Sequence, residues 1–427
     1  MTVGTVTRGW LSRNGKTGAG PESGAGGSST EGRLPCLTGA RFVAALLVVL
    51  FHFGWMRPIP GIFFLYGQQA VSFFFILSGL VLTYSYCEAV NAGSLGWSGF
   101  MNLRLARIVP LHVATWLIAT VLYVFFSWRT TQGEHPLASW TSGLLCLQVY
   151  WPTADNLFRW NGQAWSISCE MFFYAMFPLF LPLLARRLKS AGSLAVAMAG
   201  VLAAQAALYF CAAGAFAHYD KLKHPFLAGD AYVHRLRDVV LVFPPLRLGE
   251  FVLGMCLGLL ILRRGAVLKS ARSANLALGF CCVAMIAIMK LVPWDRLGPV
   301  MSGTQEYLAF VPVLALLLLA LASGRTVITP LLENRFAILL GDASYSLYLV
   351  HGFLEPGSYQ RILRGAVSVG GVVARPADYV LCVIGSILCS IVFYLLLEKP
   401  ARRAWRRATK ASRVEPTTGL VADSTLM

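Results

Sequence analysis

The spacing of the apolar residues constrains this chain more than any other feature. They fall in blocks of about 20, the length at which a helix crosses a hydrocarbon layer about 30 Å thick. Eleven blocks lie near residues 37–56, 66–86, 107–127, 137–151, 165–185, 191–216, 245–262, 273–292, 305–323, 338–356 and 376–398. Of the 427 residues, 57% are apolar and 13% charged, against about 25% charged in a soluble domain. That balance excludes a soluble enzyme, a disordered chain and a fibrous one. The weak two-residue alternation of a membrane β-barrel is absent. The expected fold class is all-α, a polytopic membrane helix bundle.

The fourth block has only 15 residues, and charge decides whether it crosses. If both termini are cytoplasmic and this block does not span, the inner segments carry 22 Lys and Arg and the outer segments 11. If it spans, the charge-rich C-terminal tail faces outward, against the positive-inside tendency. The expectation is about ten transmembrane helices plus one short outer-side helix, multi-pass in a bacterial cell membrane. Residues 1–35, rich in Gly, Ser and Thr, read as a disordered cytoplasmic tail, not as a cleavable leader. Residues 36–398 form the membrane domain. Residues 399–427 form a basic cytoplasmic tail suited to anionic headgroups. The net charge of +17 is thus assigned to membrane orientation, with no nucleic-acid partner. The cysteines sit mostly inside apolar blocks without metal-ligand spacing, so no metal site and no disulfide framework is expected.

Ionisable residues within spans are costly and point to function. Arg41 and His52 stand eleven residues apart in the first block, almost three turns, and so share a face. Snorkelling of Arg41 and a satisfied core histidine are the structural alternatives. Arg104 and Arg107 precede Pro110 at what reads as the N-terminus of the third span. There a guanidinium pair suits phosphate, or simply anchors the helix. Glu170 follows Trp165 and Ser166 at the start of the fifth block and reads as level with His52. Arg247 and Glu250 form either a local ion pair or a sugar contact. Ser344, Tyr348 and His351 share a face of the tenth block. Ser78-Gly79 in the second block is a polar site or a close helix contact. Phosphate-suited arginines thus gather inside, and His52, Glu170, His351, Arg247 and Glu250 outside.

Five stretches carry a resemblance. They are Arg41-x10-His52; Phe74-Phe75-Ile76-Leu77-Ser78-Gly79-Leu80; Arg104-Leu105-Ala106-Arg107-Ile108-Val109-Pro110; Trp165-Ser166-Ile167-Ser168-Cys169-Glu170; and Ser344-Tyr345-Ser346-Leu347-Tyr348-Leu349-Val350-His351. In this order, over 36–398, the chain resembles the acyltransferase 3 family of membrane enzymes, which move acyl groups to sugar hydroxyls. Leu80 stands where Phe is usual and His112 where Tyr is usual. The resemblance implies acyl-CoA as donor, no bound cofactor and a hydroxyl-bearing sugar as acceptor.

On that footing His52 is the expected base, with an imidazole whose ordinary pKa near 6.5 suits proton transfer. Glu170 is expected to orient it, and Arg41 completes the catalytic set by guiding the donor. Arg104 and Arg107, with Ser78, are expected to hold the donor. Arg247, Glu250, His351, Trp165 and Ser166 are the acceptor-side candidates. A covalent acyl-histidine is the alternative to direct transfer. The acceptor sugar belongs to a surface polysaccharide or to a glycosylated secondary metabolite such as a macrolide. A proton-coupled exporter is the alternative from another class, since buried His and Glu also build proton relays.

Overall fold

In the computed structural model the described residues are 34–54, 67–126, 136–150, 157, 160–223, 242–291, 308–355 and 376–409. The expected tails, apart from their first few bundle-side residues, and most of the long loop at 217–244 lie outside them.

The described elements are helical. First come α1 (Pro35–Gly54), α2 (Gly67–Asn91) and α3 (Trp97–Phe126). α4 (Pro136–Leu144) has 9 residues, about 13 Å, too short to cross a bilayer. It corresponds to the fourth block, expected not to span. α5 (Trp165–Arg187), α6 (Ala191–Lys223), α7 (Pro244–Arg264) and α8 (Ala271–Leu291) follow, then α9 (Val311–Ala322) with 12 residues. α10 (Thr329–Glu333), α11 (Arg335–Asp342), α12 (Ser344–Val350) and a 3-10 turn at His351–Phe353 come nearly end to end. α13 (Pro376–Phe393) passes through one π turn, Tyr394–Glu398, into α14 (Lys399–Ala408). Among the described residues, 8 helical stretches are long and apolar enough to cross a membrane. The chain is a multi-pass membrane protein.

Small residues set the closest helix approach. A Cβ on Gly79 of α2 would run into the Phe251 carbonyl of α7, and one on Gly254 into the Ile76 carbonyl. Gly258 lies against Leu80 and Thr83 in the same way. Backbones that touch like this gain dispersion contact where no hydrophobic drive separates helix from lipid.

The tenth block is a broken helix. Asn334 caps α11, its side-chain oxygen accepting from Phe336 and Ala337 N–H at 2.9 Å each. Gly341 then lies flat on α1, where a Cβ would strike the Thr38 carbonyl. Ala343, at φ −80° and ψ 0°, separates the two helices. α11–α12 runs beside α1 in the same direction, with Gly341 at Thr38 and His351 at His52.

Two depth expectations need correcting. α3 begins at Trp97, not near 107, so Arg104 and Arg107 sit about two turns or more inside the helix, not at its N-terminus. The apolar run starts late because Asn102 and Arg104, polar residues covered by protein, interrupt it. α5 begins inside the bundle: Asn161, Gly162, Gln163 and Ala164 before it are all buried, and Asn161 Nδ2 donates to the Leu349 carbonyl at 3.2 Å. Glu170 is therefore set deeper than its place in the block implied. The basic segment after 398 also begins within the bundle, since Arg402 is buried and Trp405 Nε1 donates to Asn102 Oδ1 at 2.9 Å.

Substituting Gly254 with Leu should force α2 from α7, because overpacking a backbone contact costs about 1–3 kcal/mol or more. The yield of monodisperse protein after detergent extraction should fall sharply, whereas Gly200→Leu, with open space around it, should leave it unchanged.

Candidate active site

One face of α1 carries two polar groups. Towards its end lies His52, whose Nδ1 is 2.8 Å from the Val48 carbonyl. His351, fully buried, has Nδ1 3.1 Å from the Leu347 carbonyl. A carbonyl only accepts, so both imidazoles carry their proton on Nδ1 and their lone pair on Nε2. His351 Nε2 is 3.3 Å from His52 Nδ1, with the ring centroids 5.0 Å apart. The His52 N–H therefore forks between Val48 and His351. If His52 gains a proton on Nε2, the resulting imidazolium still donates from Nδ1 to the His351 lone pair. His351 thus occupies the place beside His52 that the sequence reading gave to Glu170.

Glu170 lies elsewhere. Its Oε2 accepts from the Tyr174 hydroxyl at 3.0 Å. It lines a cavity of about 40 Å³ with Arg41, Arg107, Ser166, Ser344 and Tyr348, room for about two or three waters. The Ser166 hydroxyl bonds to the Tyr348 hydroxyl at 2.8 Å and to the Gln163 carbonyl at 3.2 Å. Tyr348 is one turn before His351, its ring centroid 6.1 Å from the imidazole. The cavity is thus continuous in sequence and packing with the histidine pair.

The arginines separate. Arg104 Nη2 donates to the Tyr86 hydroxyl at 2.6 Å and its guanidinium stacks on Tyr86 and Phe100. Arg107 turns towards the cavity instead. It is 3% exposed, and its Nε, Nη1 and Nη2 form no hydrogen bond among the described residues. Its ion-pair contact is Glu398 Oε1 at 3.6 Å. Arg41 Nε is likewise buried and makes no hydrogen bond among the described residues. The guanidinium pair at the cavity is therefore Arg41 with Arg107, not Arg104 with Arg107. Ser78 is buried beside Tyr174, the hydroxyl partner of Glu170, and does not itself line the cavity.

Arg247 and Glu250 are both 0% exposed. Arg247 Nε and Nη2 donate to the two Glu250 oxygens at 2.8 and 3.1 Å, Nη2 also donates to Ser72 Oγ at 3.0 Å, and the guanidinium lies over Phe75. A bidentate pair sealed between α2 and α7 is the local ion pair of the two sequence alternatives, not a sugar contact. Trp165 is buried edge-on against Phe75. His112, the departure from the usual Tyr, donates Nε2–H to the Gly143 and Leu144 carbonyls at 3.2 Å each, pinning the end of α4.

The sequence reading missed Glu398, Asp342, Arg402 and Tyr174. Tyr174 sits one turn from Glu170 and was legible by that spacing. Glu398 and Asp342 stand at helix irregularities that apolar periodicity does not register.

A membrane bundle that buries a histidine pair and a cavity lined by two guanidiniums fits an integral-membrane enzyme of group transfer and, on geometry alone, a proton relay equally. The chain matches the acyltransferase domain of the acyltransferase 3 family over residues 34–395. It belongs to that family and is a membrane acyltransferase. It is 30% identical over 411 residues to "Acyltransferase MdmB" of Streptomyces mycarofaciens, covering 90% of this chain and 96% of the relative. It is 28% identical over 365 residues to "Exopolysaccharide production protein ExoZ" of Rhizobium meliloti (strain 1021), covering 84% and 96%. No solved structure matches. Membership sets aside the exporter alternative.

Replacing Glu250 by Gln leaves Arg247 buried without its counter-charge, a loss of about 3–5 kcal/mol. The double variant Arg247→Met/Glu250→Leu should unfold at a much higher temperature than Glu250→Gln alone, in thermal unfolding of the purified protein. Equal midpoints would show that the pair does not hold α2 to α7.

Proposed function

We propose that the protein moves an acyl group, acetyl or a short branched acyl, from acyl-CoA to a hydroxyl of a sugar. The sugar belongs to a surface polysaccharide or to a glycosylated secondary metabolite such as a macrolide. The protein works in the bacterial cell membrane with both termini in the cytoplasm. The observation that carries this reading is the pairing of an imidazole couple with a guanidinium-lined cavity on one helix face. Arg41 and His52 are eleven residues apart, about 16 Å along α1, a span that a pantetheine arm covers. The names of the two relatives, an acyltransferase and an exopolysaccharide production protein, support the reaction and the carbohydrate acceptor.

The chemistry follows from the lone pair on His52 Nε2. It takes the proton of the sugar hydroxyl as the oxygen attacks the thioester carbonyl. The tetrahedral adduct collapses with cleavage of the C–S bond, and the imidazolium returns its proton to the departing thiolate. His351 stabilises the imidazolium by accepting from its Nδ1–H. In the covalent alternative the same lone pair attacks the thioester and the C–S bond breaks with release of CoA thiolate; the sugar hydroxyl then attacks the acyl-imidazole, the N–acyl bond breaks, and the hydroxyl proton neutralises the thiolate. Arg41 and Arg107 attract the anionic end of the donor, and Glu170 keeps their mutual repulsion in check. Arg104 contributes through its packing on Tyr86.

Purified protein with labelled acetyl-CoA and a sugar acceptor tests this directly. His52→Ala should abolish transfer at unchanged membrane expression, and retained activity would falsify the base assignment. His351→Ala should lower kcat by about 10²-fold or more. Arg41→Ala and Arg107→Ala should raise the KM for acyl-CoA. An unchanged donor KM with a raised acceptor KM would refute their role.

A further inference from the structure

Glu398 is buried, 1% exposed, at the end of the π turn between α13 and α14. π turns are rare and cluster at functional sites. This one adds a residue to the helical turn and swings Glu398 inward. Its Oε2 accepts from the Ser346 hydroxyl at 2.8 Å. Its Oε1 makes no hydrogen bond among the described residues and stands 3.6 Å from Arg107 Nη1. That separation keeps the Coulombic attraction but lies outside hydrogen-bond range. The pair is half made: a carboxylate beside a guanidinium whose N–H groups are all still to be satisfied. Arg402, one turn on, and Asp342, which accepts from the Tyr394 hydroxyl at 3.5 Å, lie within electrostatic reach of the same two groups.

A buried, fully ion-paired guanidinium is a poor ligand site, because its carboxylate must first be displaced. A buried guanidinium without any counter-charge is costly to hold. Glu398 sits between these limits. It neutralises Arg107 from a distance and leaves its donors unspent. The Ser346 hydroxyl draws the carboxylate charge to the far oxygen.

We propose that Glu398 is a placeholder anion for Arg107, a positioning residue that competes with the phosphate-bearing end of the donor and yields to it. The inference rests on acyl-CoA being the donor. The carboxylate and the donor compete for one guanidinium, so whatever weakens the hold of Glu398 on Arg107 tightens donor binding, by no more than the same factor. Damage to packing at the same residue has the opposite sign, because a disturbed site binds less well.

The test measures CoA binding to the full-length protein in detergent by calorimetry. Glu398→Gln should bind CoA more tightly by about fivefold or more, and Glu398→Asp, which keeps the charge, should stay near the wild type. Ser346→Ala releases the carboxylate towards Arg107 and should weaken CoA binding by about twofold or more, which keeps the test decisive if the Gln variant fails to fold. Wild-type CoA binding with unchanged or weakened affinity in Glu398→Gln, or with unchanged or tightened affinity in Ser346→Ala, overturns the placeholder role alone. Absence of CoA binding by the wild type overturns the donor reading and the inference with it.

Discussion

A guanidinium carried into an apolar slab stays there only with anions close by. In this bundle Arg41, Arg107 and Arg402 are buried together with Glu170, Asp342 and Glu398. The six residues come from six segments: α1, α3, α14, α5, α11 and the π turn. No regular packing of straight helices delivers all of them to one layer. Two of the departures from regular helix among the described residues each bring in one carboxylate. Asp342 ends α11 at the break before α12, and Glu398 ends the π turn. Both irregularities lie in the protein interior, where neighbouring helices meet the backbone groups that lipid leaves unsatisfied. The charge cluster therefore explains the broken tenth block and the wound turn at the end of α13.

The architecture was legible because lipid imposes a simple rule: a lipid-facing stretch is apolar for about 20 residues. The rule reports what touches lipid, so it fails where a segment is covered by protein. From Phe100 on, the first turns of α3 are largely covered by protein and hold Asn102 and Arg104, and Trp165 looked like a membrane boundary although the four residues before it are buried. Those two errors placed Arg104 and Arg107 at a helix N-terminus and Glu170 level with His52. The individual site residues were visible as costly ionisable groups, and the shared face of Ser344, Tyr348 and His351 followed from steps of four and three. Their partners were not. His52 and His351 are 299 positions apart, and nothing in local periodicity ties one to the other. Glu398 sat at the border between an apolar block and a basic run, where a lone acid draws no notice.

The division of arginines shows how packing refines a motif. Arg104 and Arg107 are three apart and share a helix face on paper. Aromatic neighbours decide their fates. Tyr86 and Phe100 take Arg104 through a hydrogen bond and two ring faces. Arg107 makes no hydrogen bond among the described residues and faces Glu398 and the cavity. One guanidinium is spent on structure and the other is left with unused donors, and only the second is suited to an incoming anion.

Separation of the arginines from His52 has its own electrostatic logic on the proposed reading. An imidazole that must accept a proton is hindered by any nearby cation. At an effective dielectric of about 20, a guanidinium about 4 Å away raises the cost of the imidazolium by about 4 kcal/mol, and one about 16 Å away by about 1 kcal/mol. The three carboxylates beside the arginines reduce even that remainder. A site that grips phosphates and abstracts a proton thus has reason to keep the two tasks three helical turns apart. A donor whose charged end and reactive end are joined by a long neutral arm is the kind of substrate that lets it do so. His351 fits the same logic, since a neutral lone-pair partner supports the imidazolium without bringing a carboxylate that would draw donor-binding arginines towards the base.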